Sequence, residues 1–329
     1  MQSDSRPLAG ISMLLVALFL FSIQDIVIKS FSGHYSVLQI VYVRCIVGLS
    51  LLFFLLGLRR TIRLSRSKRP TLAFARGLLG FTSYLGYYMA MASLPLAELV
   101  SIVFTAPIFV TVLSALLLRE KVGVRRWSAV MVGFIGVLIV VGPEGLSGNL
   151  AVILAFGAAL TYACSTILTR FLSPHDEPIT ISLYSMVMFV VGSVVISVAI
   201  GFSGDNAVTH PSLQFLLRDW AMPTAIDLSL MVFIGAIWSM GMYLLARSYC
   251  VAPASLLSPF EFTYIIWAVI FGYFFWHEIP TATTIAGVAL LIGSSIYIAH
   301  REVIVSQRHG LEDEQTAQNL PASLRQPAA

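Results

Sequence analysis

Ten apolar runs follow one another along this chain, at about 8–29, 37–58, 71–93, 97–118, 127–142, 150–171, 179–201, 227–247, 254–275 and 282–299. Each is near the length of about 20 residues that a helix needs to cross a bilayer. Gly, Pro or charge bounds each run, and Pro95 alone separates the third from the fourth. In hydrocarbon a single segment must pair its own backbone amides, so these runs are predicted as helices. Composition agrees, with 58% apolar and 11% charged residues against about 45–50% and about 25% in soluble domains. That excludes an ordinary soluble enzyme, a disordered chain and a nucleic-acid reader. The first run is too long for a secretory h-region, and charge rather than a small-residue cleavage site follows it. It is expected to be a retained span.

Basic loops set the expected orientation. Arg59, Arg60, Arg63, Arg66, Lys68 and Arg69 fill one loop, and Arg119, Lys121, Arg125 and Arg126 fill another. With ten spans both loops lie on one side, together with both termini, and the rule makes that side cytoplasmic. The tail 300–329 is polar and expected to be disordered. The lysines, Lys29, Lys68 and Lys121, do not follow a P-loop glycine, and no loop has room for a nucleotide-binding domain. No ATP-driven step and no ATP-binding subunit is therefore expected.

Sliding 77–120 onto 235–278 aligns Gly77 with Gly235, Pro95 with Pro253, Leu99 with Leu257 and Phe104 with Phe262. Thr105, Ile108 and Glu120 likewise fall on Thr263, Ile266 and Glu278. Five helices per half is an odd number, so the second half must run upside down. Basic residues surround Glu120 and not Glu278, as that inversion requires. The reading is an all-α polytopic membrane protein of ten transmembrane helices in two inverted five-helix repeats, 8–142 and 150–299. Secondary transporters recurrently use this design, with the site near the midplane.

The stretch SLPLAELVSIVFTAPIFVTVLSALLLREKVGVRRWSAVMVGFIGVLIVVGP resembles the end of an EamA domain, and LLSPFEFTYIIWAVIFGYFFWHEIPTATTIAGVALLIGSSIYI resembles a second copy. Tandem pairs of this kind form ten-helix members of the drug/metabolite transporter superfamily. The resemblance implies a bacterial inner-membrane carrier that alternates access around a central cavity. Its members move amino acids, drugs, S-adenosylmethionine, riboflavin and other metabolites, in either direction. The opening FSIQDIVIKSFSGHYSVLQIVYVRCIVG is similar to members that take up vitamins or nucleoside-like metabolites.

Charges within spans are costly, and each is a functional candidate. At a rise of about 1.5 Å per residue, they sort into two sets by depth. Asp25, Lys29 and Arg44 lie in the outer half; Arg76 and Glu261 lie in the inner half, with Arg247 nearby. Either these sets flank a cavity and gate it, or they are static buried pairs that fix helix register. Asp25 and Lys29 form an i,i+4 pair, with Lys29 also able to snorkel to the interface. Glu98 is expected to serve the N-terminus of the fourth helix. Tyr84, Tyr87 and Tyr88 form an i, i+3, i+4 stripe, read as packing or as the wall of a planar-substrate site. Tyr162, Trp238 and Tyr264 could complete such a wall. Pro107 and Pro259 are expected hinges.

Competing chemistries are poorly served. Gly201-Phe202-Ser203-Gly204 matches a GxSG protease motif, but the histidines lie at or beyond span edges, and a turn is the better reading. Cys45, Cys164 and Cys250 lie in apolar runs and are read as packing residues. No metal spacing, catalytic set or cofactor motif is found, and no polar ring marks a channel filter. The span charges, Lys29, Arg44 and Arg76 against Asp25 and Glu261, disfavour a strongly cationic solute. Joined to the aromatic residues and the family range, they make a riboflavin-like vitamin the leading expected solute. S-adenosylmethionine, amino-acid or drug transport stands behind it.

Overall fold

The computed structural model describes residues 7–58, 66–117, 124–146, 148–172, 174–201, 209–251, 257, 260–261, 263–293 and 297. Its elements are α1 (Pro7–Phe31), α2 (Val37–Leu58), α3 (Pro70–Met91), α4 (Leu96–Val103), α5 (Ala106–Leu117), α6 (Val124–Leu146), α7 (Leu150–Leu172), α8 (Pro178–Gly201), α9 (Pro211–Leu217), α10 (Ala225–Val251), α11 (Thr263–Trp276) and α12 (Ala282–Gly293). With α4 and α5 counted as one segment and α9 set aside, these are the ten expected segments in order. Six segments of the described residues are long and apolar enough to cross a membrane, and Met131–Gly142, α11 and α12 are shorter apolar helices. α3 has spanning length but is the least apolar of the long helices, because it carries Arg76 and the tyrosine stripe.

Three local features depart from the expected pattern. The fourth span is broken into α4 and α5 by a turn at Phe104–Thr105. Pro107 lies just inside α5, and its ring would clash with the carbonyl four residues back, so the break falls upstream of it. Pro259 lies outside the described residues, as do Ser203, Glu120, Pro253, Phe262 and all of the 300–329 tail. α6 is longer than expected and kinks at Gly142 (φ 62°). The loop between α8 and α10 holds the extra helix α9, capped by His210, whose ring accepts from the Ser212 N–H at 3.2 Å, with Pro211 at its first position. Phe215 and Ser212 of α9 are buried against the bundle.

Helix packing repeats between the halves. α3 packs on α7 and α8, as α10 packs on α1 and α2. α2 packs on α8, and α4 on α11. The aligned glycines occupy matching contacts. A Cβ on Gly77 would meet Met188 Cγ at 2.9 Å and Ser185 Cα at 3.2 Å on α8; one on Gly235 would meet Val47 Cβ at 2.8 Å and the Arg44 carbonyl at 3.1 Å on α2. Each half thus needs a bare backbone where it crosses the other.

Loop contacts sort by end of the bundle. At the end away from the basic loops, Ser93 bonds Ser212 at 2.8 Å, Tyr35 donates to Asp227 at 2.6 Å, and Arg218 donates to the Ser32 carbonyl at 3.0 Å. At the basic end, Asp176 accepts from the Ser67 hydroxyl and from the Lys68 N–H (2.8 Å). Burial raises the Asp176 carboxyl, but these two donors together with the nearby His175 and Lys68 charges outweigh it and hold the group below its ordinary 3.8. The tie between these two loops is therefore present at neutral pH and is lost as pH falls through that lowered value.

Candidate functional site

α1, α2, α3, α10 and α11 bring six of the expected site residues into one connected cluster. Asp25 on α1 is 4% exposed. Its carboxylate accepts from Tyr87 (2.7 Å), from Tyr264 and from Tyr88 (3.3 Å). The i, i+3, i+4 stripe on α3 supplies two of these hydroxyls because that spacing places them on one helix face. Gln24, beside Asp25, donates through Nε2 to Tyr84 (2.9 Å) and Tyr88 (2.7 Å), whose hydroxyls are 2.6 Å apart. Arg44 on α2 is wholly buried. Its Cζ lies 3.8 Å from the Tyr84 ring centroid and 4.9 Å from that of Trp238 on α10. Asp25 and Arg44, expected at matching depth, are linked through tyrosine rather than by an ion pair.

Lys29 corrects the reading made for it. It neither pairs with Asp25 nor snorkels; it forms an ion pair with Glu278, past the C-terminus of α11. It also donates to the Leu94 carbonyl at 3.1 Å and lies 4.9 Å from the Trp276 ring centroid. The other Glu278 oxygen accepts from the Leu96 N–H at 2.9 Å. The carboxylate hydrogen-bonded at the N-terminus of α4 is thus Glu278, from the other half. Glu98 lies in the first turn of α4, as expected, and lines a cavity of about 570 Å³ with Ser93, Asn149, Gly272, Glu278 and Thr281. Glu278 reaches back because His277 takes positive φ (55°), and the Glu278 N–H then closes on the Gly272 carbonyl at 3.0 Å. A Cβ on Gly272 would sit 2.9 Å from Glu278 Oε2, so glycine permits that return.

Arg76 makes its hydrogen bonds outside the cluster. Arg76 donates to Thr169 (3.2 Å) and to Ser185, joining α3 to α7 and α8. Tyr162 is 56% exposed and within electrostatic reach of both Arg76 and Glu261. Pro107 is exposed on α5. Among the described residues no group of three His, Cys, Asp or Glu could hold a metal. Gln24 escaped the sequence reading, and Glu278 entered it only as a repeat position and not as a site residue. Gln24 adjoins a buried carboxylate, and Glu278 is the repeat mate of Glu120; both signals were present in the chain.

The sequence profile of the EamA-like transporter family matches residues 8–142 and 149–299. This chain belongs to the EamA-like transporter family. Its similarity to curated relatives runs nearly end to end. It is 27% identical to a riboflavin transporter of Vibrio cholerae serotype O1, over 94% of this chain and 98% of that one. It is 27% identical to a pseudopaline exporter of Pseudomonas aeruginosa (88% and 96% covered) and 22% identical to an S-adenosylmethionine uptake transporter of Rickettsia prowazekii (90% and 94%). A solved crystal structure matches with a TM-score of 0.58 and 16% identity over 89% of this chain and 96% of that one. At that identity the likeness concerns the fold. The EamA-like chain described here is a multi-pass membrane transporter of small molecules.

Proposed function

We propose that this transporter carries a planar, uncharged vitamin of the riboflavin type across the bacterial inner membrane by alternating access, binding it at the Asp25–Arg44–tyrosine cluster. The observation that carries this reading is Arg44. A guanidinium wholly buried between Tyr84 and Trp238 offers donors inside aromatic walls, the combination that a planar solute with a few acceptors would use. Several relatives named riboflavin transporters support the choice. The S-adenosylmethionine relatives argue for a cationic solute, which Arg44 opposes.

In this reading Asp25, Arg44, Tyr84, Tyr88, Trp238 and Tyr264 hold the solute. Lys29 and Glu278 close the outer side, and Arg76, Tyr162 and Glu261 line the inner passage. The turn at Phe104–Thr105, with Pro107 behind it, is a hinge, and Pro259 is its counterpart. The two repeats, 8–142 and 150–299, rock against each other, and both termini lie in the cytoplasm. The chain works as a carrier and not as an enzyme, without a cofactor or an ATP-binding subunit. The experiment is uptake of labelled riboflavin by a riboflavin-requiring bacterium expressing this chain, with and without an uncoupler. Saturable uptake is expected. Absence of uptake by inserted protein would overturn the vitamin reading in favour of S-adenosylmethionine exchange or amino-acid export.

A further inference from the structure

Two kinds of polar atom in the cluster have no hydrogen-bond partner among the described residues: the Nε, Nη1 and Nη2 of Arg44, and Oε1 of Gln24. Buried polar groups are almost always paired, and an unanswered guanidinium is among the costliest exceptions. Ring contacts with Tyr84 and Trp238 offset part of that cost, yet they answer none of the five N–H donors that an arginine carries. The carboxylate of the same cluster, Asp25, accepts from three tyrosine hydroxyls and makes no hydrogen bond to Arg44. Gln24 is half-used: its Nε2 meets two tyrosines and its carbonyl end meets nothing. Both side chains touch Tyr84, Arg44 on the ring face and Gln24 on the hydroxyl. Strong donors and one strong acceptor are therefore both unanswered around the same tyrosine.

We infer that Arg44 and Gln24 together read a lactam-type ring edge, a carbonyl beside an N–H, with the guanidinium donating to the carbonyl and Gln24 Oε1 accepting from the N–H. This rests on the proposed vitamin reading and narrows it. The isoalloxazine of riboflavin carries such an edge on its pyrimidinedione ring, where an N–H sits between two carbonyls. A carboxylate ligand would answer Arg44 but leave Gln24 Oε1 facing another acceptor, with Asp25 nearby. A sulfonium offers no acceptor to Arg44 and no N–H to Gln24 Oε1.

The test is competition against labelled riboflavin on the purified full-length protein, with riboflavin, 3-methylriboflavin and benzoate as competitors. Methylation at that ring nitrogen removes the N–H and leaves the carbonyls. Expected is that 3-methylriboflavin competes about 10- to 100-fold less well than riboflavin, as one unanswered buried acceptor implies. In Gln24→Leu the gap should shrink to about threefold or less, because both ligands then lack the acceptor. Equal competition in the wild type would overturn the edge reading and leave riboflavin as solute. A gap that persists in Gln24→Leu marks a steric wall and overturns it as well. Displacement by benzoate as strong as by riboflavin would make Arg44 a carboxylate site and overturn it. Folded wild-type protein that binds no riboflavin would overturn both this inference and the reading beneath it.

Discussion

Arg44 separates function from stability at the scale of one residue. Its charge is wholly buried and without an acceptor among the described residues. A buried charge that no acceptor answers costs stability, a cost that an apolar side chain of similar volume does not carry. Arg44→Met is therefore expected to unfold at the same temperature as the wild type or higher, while solute uptake falls by about tenfold or more. Thermal unfolding of the detergent-purified variant, set beside its uptake, checks both parts. A structural arginine would give the opposite pair, a lowered unfolding temperature with transport kept. The sequence made Arg44 and Asp25 legible as candidates, because charge within a span is rare and depth can be counted along a helix. It did not reveal how Arg44 is held. Its neighbours Tyr84 and Trp238 come from α3 and α10, and their stacking depends on helix rotations that periodicity does not fix.

At the scale of elements, the ends of α1, α4 and α11 meet through Lys29 and Glu278. The pair joins residues 249 positions apart, which is why an i,i+4 partner looked sufficient from the sequence. The contact links the two halves at the end away from the basic loops, where opening would have to break it. Lys29→Glu and Glu278→Lys are each expected to lower uptake by about tenfold, because each leaves two like charges facing across a half-buried contact. The double exchange is expected to recover a large part of it. Uptake measured across this mutant cycle, with membrane insertion checked by blotting, decides the point. An exchange no better than the singles would contradict a role for the pair in closure. The break between α4 and α5 was only partly legible. Pro107 announced a disturbed helix, whereas the turn itself lies upstream at Phe104–Thr105, because the proline ring acts on the preceding turn.

The whole molecule carries two EamA matches, 8–142 and 149–299, and the spacing of its apolar runs and basic loops is the sequence's argument that the halves run in opposite sense. Gly77 and Gly235 show how far such reading reaches. Their alignment was visible in the chain, and their shared task, letting α3 and α10 close on α8 and α2, was visible only in the packing. α9 was missed because seven residues make too short a pattern, although His210-Pro211-Ser212 carries a cap and a first-turn proline. The proposed topology predicts that a fluorescent protein fused after Ala329 will fluoresce, while alkaline phosphatase fused there stays inactive. The reverse result would invert the molecule. The central claim, that a riboflavin-type vitamin is carried at the Arg44 cluster, is tested most directly by counterflow. Purified protein is reconstituted in liposomes loaded with unlabelled riboflavin and given labelled riboflavin outside. The account predicts a saturable, transient accumulation of label that Arg44→Met abolishes. No accumulation by wild-type protein that is correctly inserted, or undiminished accumulation by Arg44→Met, would contradict it.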